Sequence, residues 1–340
     1  MSHSIYWEPQ SILAVDRAPH STYGMRIERL PNGAMLLGVD GAGPDKSLSL
    51  VYQSDDNGET WKFLSIASFA EVDAANTQLR QLPGGELLSA YRDVRWITEK
   101  SLQVTLRVSV SNDGGVSWRH RSNIAETRLN GFRGVWEPYL DLLPDGSLAV
   151  MYASEAYQPE WPQIIAMKIS HDAGLTWGRE FCISRHPASR DGMPVFGKMP
   201  DGGVYLVFEA TDAVPQEFVI RAKYSPDGYR WDGPRQLIYR PALPAKKAGA
   251  PYVAIHPDGR LFVSFQTDED RAGSSEPACD FKMIYSEDHG LTWSNPLTLI
   301  PAPFANWGGL FLASEKLLLA GASAQGDDKV HRTWLRRAHI

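Results

Sequence analysis

The chain has 340 residues, 43% of them hydrophobic and 22% charged, with a formal net charge of −6. This composition supports a packed core and excludes a disordered chain. The acidic balance, with no Lys/Arg cluster beyond Lys246-Lys247 and Arg336-Arg337, excludes nucleic acid as a partner.

In chain order, Ile5-Tyr-Trp-Glu8 is a short β-rich segment, and Leu30-Pro-Asn-Gly33 is a hairpin signal, because Pro fits the second turn position and Asn-Gly accepts positive φ. Next comes Ser54-Asp-Asp-Asn-Gly-Glu-Thr-Trp61, an Asp-box, in which an Asp bonds backbone N–H groups inside a tight turn and a Trp packs between sheets. Both signals recur. Hairpins follow at Leu82-Pro-Gly-Gly85, Leu143-Pro-Asp-Gly146, Met199-Pro-Asp-Gly202 and His256-Pro-Asp-Gly259. Asp-boxes follow at Ser111-Asn-Asp-Gly-Gly-Val-Ser-Trp118, Ser170-His-Asp-Ala-Gly-Leu-Thr-Trp177, Ser225-Pro-Asp-Gly-Tyr-Arg-Trp231 and Ser286-Glu-Asp-His-Gly-Leu-Thr-Trp293. Their first serines, from Ser54 to Ser286, are almost evenly spaced. A sixth, degraded hairpin falls at Ser314-Glu-Lys, after an inner strand opening near Trp307.

A period of about 57 residues with four β segments predicts one all-β domain over 1–340, a six-bladed β-propeller of four-stranded antiparallel blades. The sixth blade lacks an outer strand after Leu335, so the segment near Ile5–Glu8 is expected to pair there and close the ring. No apolar run reaches the ~18 residues of a membrane span. No secretory leader opens the sequence as written, which reads as cytoplasmic, or as secreted if a leader has been trimmed. The expected state is a monomer without membrane contact. Cys182 and Cys279 read as two buried thiols, and His20, His186 and His256 lack ligand spacing, so neither metal nor cofactor is expected.

Because successive strands run antiparallel, hairpins and Asp-boxes share one face, and the starts of first strands meet the ends of second strands on the other, beside the axis. The starts carry Tyr23 to Arg26, Thr77-Gln78, Trp136-Glu137-Pro138, Met193-Pro194, Ala250-Pro251 and Asn306-Trp307; the ends carry Asp40, Arg92, Ala153 with Glu155 nearby, Glu209 and Gln266. Glu137 and Glu209 stand out. They belong to neighbouring blades, Glu209 follows an apolar strand, and two facing carboxylates in an aromatic-lined cavity are the equipment of a glycosidase, one protonated and one ionised. Arg26, Asp40, Gln78, Arg92, Trp136, Glu155, Pro194, Gln266 and Trp307 are the candidates for holding an oligo- or polysaccharide. Arg26, Arg92 and Arg107 alternatively form a carboxylate clamp, or pair with acids in a charged rim.

Asp-boxes on a six-bladed propeller resemble the sialidase superfamily, over nearly the whole chain. A sialidase implies an Arg-Ile-Pro motif, but the corresponding stretch reads Tyr23-Gly-Met-Arg26-Ile27-Glu28. Within that superfamily, Val135-Trp-Glu-Pro-Tyr139 and Val207-Phe-Glu209, in sequence and in the separation of their glutamates, are similar to the two catalytic motifs of glycoside hydrolase family 93, the exo-α-1,5-L-arabinanases. This resemblance implies a retaining enzyme that releases arabinobiose from the non-reducing end of linear arabinan, with Glu137 as acid/base and Glu209 as nucleophile. A sialidase-like hydrolase of acidic sugars and a non-catalytic carbohydrate-binding propeller are the alternatives.

Overall fold

The computed structural model describes residues 5–15, 21–42, 46–99, 101–129, 133–212, 218–271, 279–301, 305–326 and 328–340; His20 lies outside them. Among the described residues there are strands and turns and no helix.

Each Asp-box folds through its own side chains. In the first, Ser54 Oγ accepts from Gly58 N–H at 2.8 Å and donates to Asp56 Oδ1 at 2.7 Å, and Asp56 accepts from Thr60 N–H at 2.9 Å. Asn57 and Gly58 take the left-handed backbone, φ 56° and 85°, that turns the chain. Although burial opposes it, the bonds from Thr60 and Ser54 hold the Asp56 carboxyl down to about 2. The box also joins blades. Trp118 Nε1–H donates to Ser65 Oγ on the outer strand of the preceding blade at 3.0 Å, and Trp177 repeats this contact with Ser122.

The chain forms the six antiparallel blades expected. Blade 1 contains Thr22–Arg29, Met35–Ala42, Ser47–Ser54 and Lys62–Ala70, and blade 2 Asp73–Gln81, Leu87–Thr98, Ser101–Ser111 and Arg119–Leu129. Blade 3 contains Val135–Leu142, Leu148–Ser154, Ile164–Ser170 and Phe181–Ser184, and blade 4 Gly192–Lys198, Val204–Ala210, Val219–Ser225 and Gln236–Tyr239. Blade 5 contains Ala248–Ile255, Leu261–Thr267, Asp280–Ser286 and Leu297–Ile300. Blade 6 has Asn306–Ser314, Leu317–Gln325 and His331–His339, and its outer position is filled from the other end of the chain: Tyr6 and Trp7 pair with His339 and Ala338, and Ile12–Val15 with residues 333–335. The third strand runs on to His339, and the pairing expected of the Ile5–Glu8 segment is present beside it. Both cysteines are free; Cys279 is buried, but Cys182 sits on a short outer strand and is exposed, contrary to expectation.

Between blades the sheets pack through fully buried side chains such as Tyr152, Phe196, Phe208, Phe262 and Phe281. Each contributes about 1.5–3 kcal/mol by leaving water.

In every blade the first strand breaks register with the second at the same place, between Tyr23 and Arg26, Ala75 and Gln78, Trp136 and Tyr139, Gly192 and Val195, Gly249 and Tyr252, and Asn306 and Gly309. Inside each of these β-bulges one residue is left-handed: Gly24 (φ 80°), Asn76 (61°), Glu137 (56°), Met193 (51°), Ala250 (50°) and Trp307 (47°). For a non-glycine residue this costs roughly 1–2 kcal/mol. Five unlike side chains accept that cost, so the architecture imposes the conformation.

The bulge frees a backbone N–H, and in three blades a residue near the end of the preceding blade's second strand accepts it. Asn76 N–H donates to Asp40 Oδ2 at 2.7 Å, Ala250 N–H to Glu209 Oε2 at 2.7 Å, and Trp307 N–H to Gln266 Oε1 at 2.9 Å. Ser323, the equivalent residue of blade 6, donates from Oγ to Thr22 O at 2.6 Å. Blade 2 carries the donor-only Arg92 at this position, and blade 3 departs from the pattern too. Its residue at this position is Ala153, which has no acceptor side chain, and Glu137 accepts from Met193 N–H at 2.8 Å.

Candidate active site

Glu137 and Glu209 reach the same spot by different routes. Glu137 projects from the bulge of blade 3, and Glu209 is next to last in the second strand of blade 4, where it alone among Val204–Ala210 is not buried. Gly192 lies between them. A Cβ placed on Gly192 would stand 3.4 Å from Glu209 Oε1 and 3.5 Å from Glu137 Oε2, so these two oxygens flank one point in space, and it would press on Gln163 Nε2 at 2.8 Å. A Cβ on Gly249 would stand 2.7 Å from Glu209 Oε2. Gly249 thus clears the space that Glu209 occupies, and Gly192 the space of Gln163 beside the pair.

Each carboxylate has one oxygen tied to a backbone N–H, Met193 for Glu137 and Ala250 for Glu209. Burial raises both carboxyls above the ordinary range. For Glu209 the neighbouring Glu137 charge adds to burial, and the carboxyl is pushed up to about 7. Arg190 opposes the rise at both, and Arg92 does so at Glu137. The two carboxyls, both raised and facing one another, titrate as a unit.

Glu137 and Met193 form one side of a cavity of about 950 Å³ whose other walls come from blades 6, 1 and 2. Of the candidates for holding substrate, Arg26, Asp40, Arg92 and Trp307 line it. Arg26 donates to Met25 O and Gly308 O and lies 4.9 Å from the Tyr252 ring centre. Asp40 is committed to Asn76 and Thr77, accepting two N–H bonds and the Thr77 hydroxyl. Arg92 pairs with Asp73 and lies over the Trp136 ring at 5.2 Å.

The remaining candidates sit behind this wall. Glu155 is buried and accepts from Gly134 N–H at 2.9 Å and from Trp136 Nε1–H at 3.0 Å, so both Trp136 and Glu155 brace the segment that leads into Glu137. Gln78 is buried in the channel and donates to Leu79 O; Pro194 is buried beside Met193; Gln266 is engaged by Trp307 N–H. Arg107 stands away from the cavity on the third strand of blade 2, paired with Asp93 at 2.9 Å, so the three arginines do not converge.

Below the bulges the channel is filled. Arg80 bridges Asp141 at 2.6 Å and Glu28 at 3.4 Å, and Tyr139 and Tyr252 bring their hydroxyls to 3.4 Å. The site therefore opens on the top face, while Asp-boxes and hairpins occupy the other. On blade 2 the strands Leu87–Thr98 and Ser101–Ser111 extend the hairpin beyond Asp93 and leave Trp96 exposed. In Asp268–Cys279, residues 272–278 are outside the described set.

Sequence reasoning missed Asp73, Lys46, Arg190 and His331, whose positions follow no repeat signal. It also missed the glycines. Gly192-Met-Pro194 and Gly249-Ala-Pro251 share a glycine before the left-handed residue and a proline after it, and that pattern was available to be read.

No family model matches the sequence, and no curated protein matches it. Solved structures do. An α-L-arabinanase of Penicillium chrysogenum, complexed with arabinobiose, superposes with a TM-score of 0.77 at 21% identity, over 97% of this chain and 99% of that one. The fold is shared end to end. The glycoside hydrolase family 93 α-L-arabinofuranosidase of Fusarium graminearum, also with arabinobiose, gives 0.77 at 18% identity over 97% of both chains. A Hadza microbial sialidase gives 0.61 at 12% identity, over 93% of this chain and 65% of its own.

Proposed function

We propose that this chain is a retaining exo-α-1,5-L-arabinanase that releases arabinobiose from the non-reducing end of linear arabinan or arabino-oligosaccharides. The observation that carries the reading is the glutamate pair across Gly192, both carboxyls raised by burial, with Glu137 in the wall of a cavity large enough for a short oligosaccharide. The arabinobiose bound in the two superposed propellers supports the choice of sugar.

Glu137 protonates the glycosidic oxygen as Glu209 attacks the anomeric carbon, which gives a glycosyl-enzyme and a shortened chain. A water that loses its proton to Glu137 then attacks the same carbon and frees Glu209. The N–H bonds from Met193 and Ala250 fix both carboxyls without a side-chain partner that itself needs orienting. The acidic-sugar alternative needs convergent free cations, whereas Arg92 and Arg107 are each paired with an aspartate.

Digestion of linear arabinan with product sizing, beside a fluorogenic sialoside, tests the reading. A lone disaccharide product with the starting anomeric configuration is expected; monosaccharide, mixed oligomers, inversion or sialoside cleavage each refute part of it. Glu137→Gln and Glu209→Gln are each expected to lose on the order of 10³-fold or more in kcat, and full activity in either removes that residue from the chemistry.

A further inference from the structure

In a ring of six blades, blade 6 stands opposite blade 3. Trp307 occupies in blade 6 the same left-handed bulge position that Glu137 occupies in blade 3, and both line the cavity. The other bulge positions carry Gly24, Asn76, Met193 and Ala250, so Trp307 is the only large aromatic among the six.

Its setting does not account for it as packing. Trp307 stays 40% exposed although its backbone is held at φ 47°, and its ring meets that of Tyr23 in a T-shaped contact, with centroids 5.4 Å apart and planes at 83°. Tyr23 is backed in turn by His331 at 5.0 Å. The bulge N–H that fixes the backbone is taken by Gln266, an interaction independent of the Trp307 side chain. A T-shaped partner leaves an indole face uncovered. In a polar cavity, such a face attracts the C–H-bearing face of a neutral sugar ring.

Resting on the arabinanase reading, we propose that the Trp307 indole is the stacking platform for the second sugar of the bound chain, the unit one removed from the cleaved bond. Glu137 then addresses the first unit from one side of the channel while Trp307 holds the second from the other. Tyr23 fixes the tilt of the platform through their perpendicular contact.

Arabinobiose is titrated by calorimetry into Glu137→Gln, where turnover is blocked, and into the same variant carrying Trp307→Phe, Trp307→Leu or Trp307→Ala. Thermal melts verify that each is folded. Phe, which keeps a ring face, is expected to bind within about threefold of the parent, while Leu and Ala lose at least tenfold. In the otherwise unchanged enzyme, Trp307→Leu is expected to raise KM about tenfold and leave kcat within threefold. Equal affinity of the Phe and Leu variants overturns the proposal, as does a fall in kcat with KM unchanged. A folded Glu137→Gln parent that binds no arabinobiose also overturns it, and the arabinan digest then decides separately whether the proposed activity stands.

Discussion

At the scale of single residues, the acid pair rests on what is missing beside it as much as on the glutamates. Gly192 has no left-handed backbone, so the reason for its glycine is space: a Cβ would press on Gln163 Nε2 while touching both carboxylates. Gly192→Ala is expected to fold and to lose on the order of 10²-fold in kcat, measured on arabinan; a change below threefold would show that the gap has no catalytic meaning. The raised carboxyls also have a cost in stability. A carboxyl held above its ordinary value favours the folded state while protonated, and that contribution is full below about pH 4.5 and lost as pH rises through about 7 for Glu209. Glu209→Gln carries no such charge, so its stability by denaturant titration is expected to rise above that of the parent progressively between pH 5 and 8. A gap independent of pH would contradict the assignment. The glutamates were legible in the sequence because the repeat fixed their register. Asp40 was legible as a position but not in its employment, since its partners Asn76 and Thr77 lie in the next blade.

At the scale of elements, the Asp-box is a turn whose chemistry is written within one short run of consecutive residues, which explains why blade number and strand direction could be read directly. Its carboxylates stay ionised far into acid, so their contribution is present above the ordinary value near 3.8 and lost only as pH falls through about 2. Asp56→Ala is expected to cost about 1 kcal/mol by denaturant titration. Arabinan hydrolysis by this variant is expected to be unchanged, because the box lies on the face away from the glutamates. The bulges are the opposite case. Their left-handed residues are Gly, Asn, Glu, Met, Ala and Trp, which share no propensity, and the conformation comes from the packing of neighbouring first strands. No local signal in the sequence specifies it, and only the proline that follows in blades 3, 4 and 5 hints at a break in the ladder.

At the scale of the whole molecule, the ring is held by a strand from each end of the chain. Residues 5–15 cover the edge of His331–His339, and Arg336 Nη2–H donates to Glu8 O at 2.9 Å. Removal of residues 1–15 exposes that edge and uncovers the partners of Ala14 and Val15 around Leu335, and is expected to lower the melting temperature by on the order of 5–10 °C and to promote association. A truncated chain that melts like the full one would place ring closure elsewhere.

The bulges also bear on how such a protein changes its chemistry. What grips each acid is the main chain, and the main chain repeats from blade to blade around the axis whatever side chain is present. The propeller therefore offers a set of interchangeable sockets, of which two hold the paired glutamates, one holds Asp40 and one the plain amide of Gln266. A carboxylate exchanged into the amide's place finds its donor already aimed, so a reaction can be relocated around the rim by changing side chains while the frame beneath stays as it is.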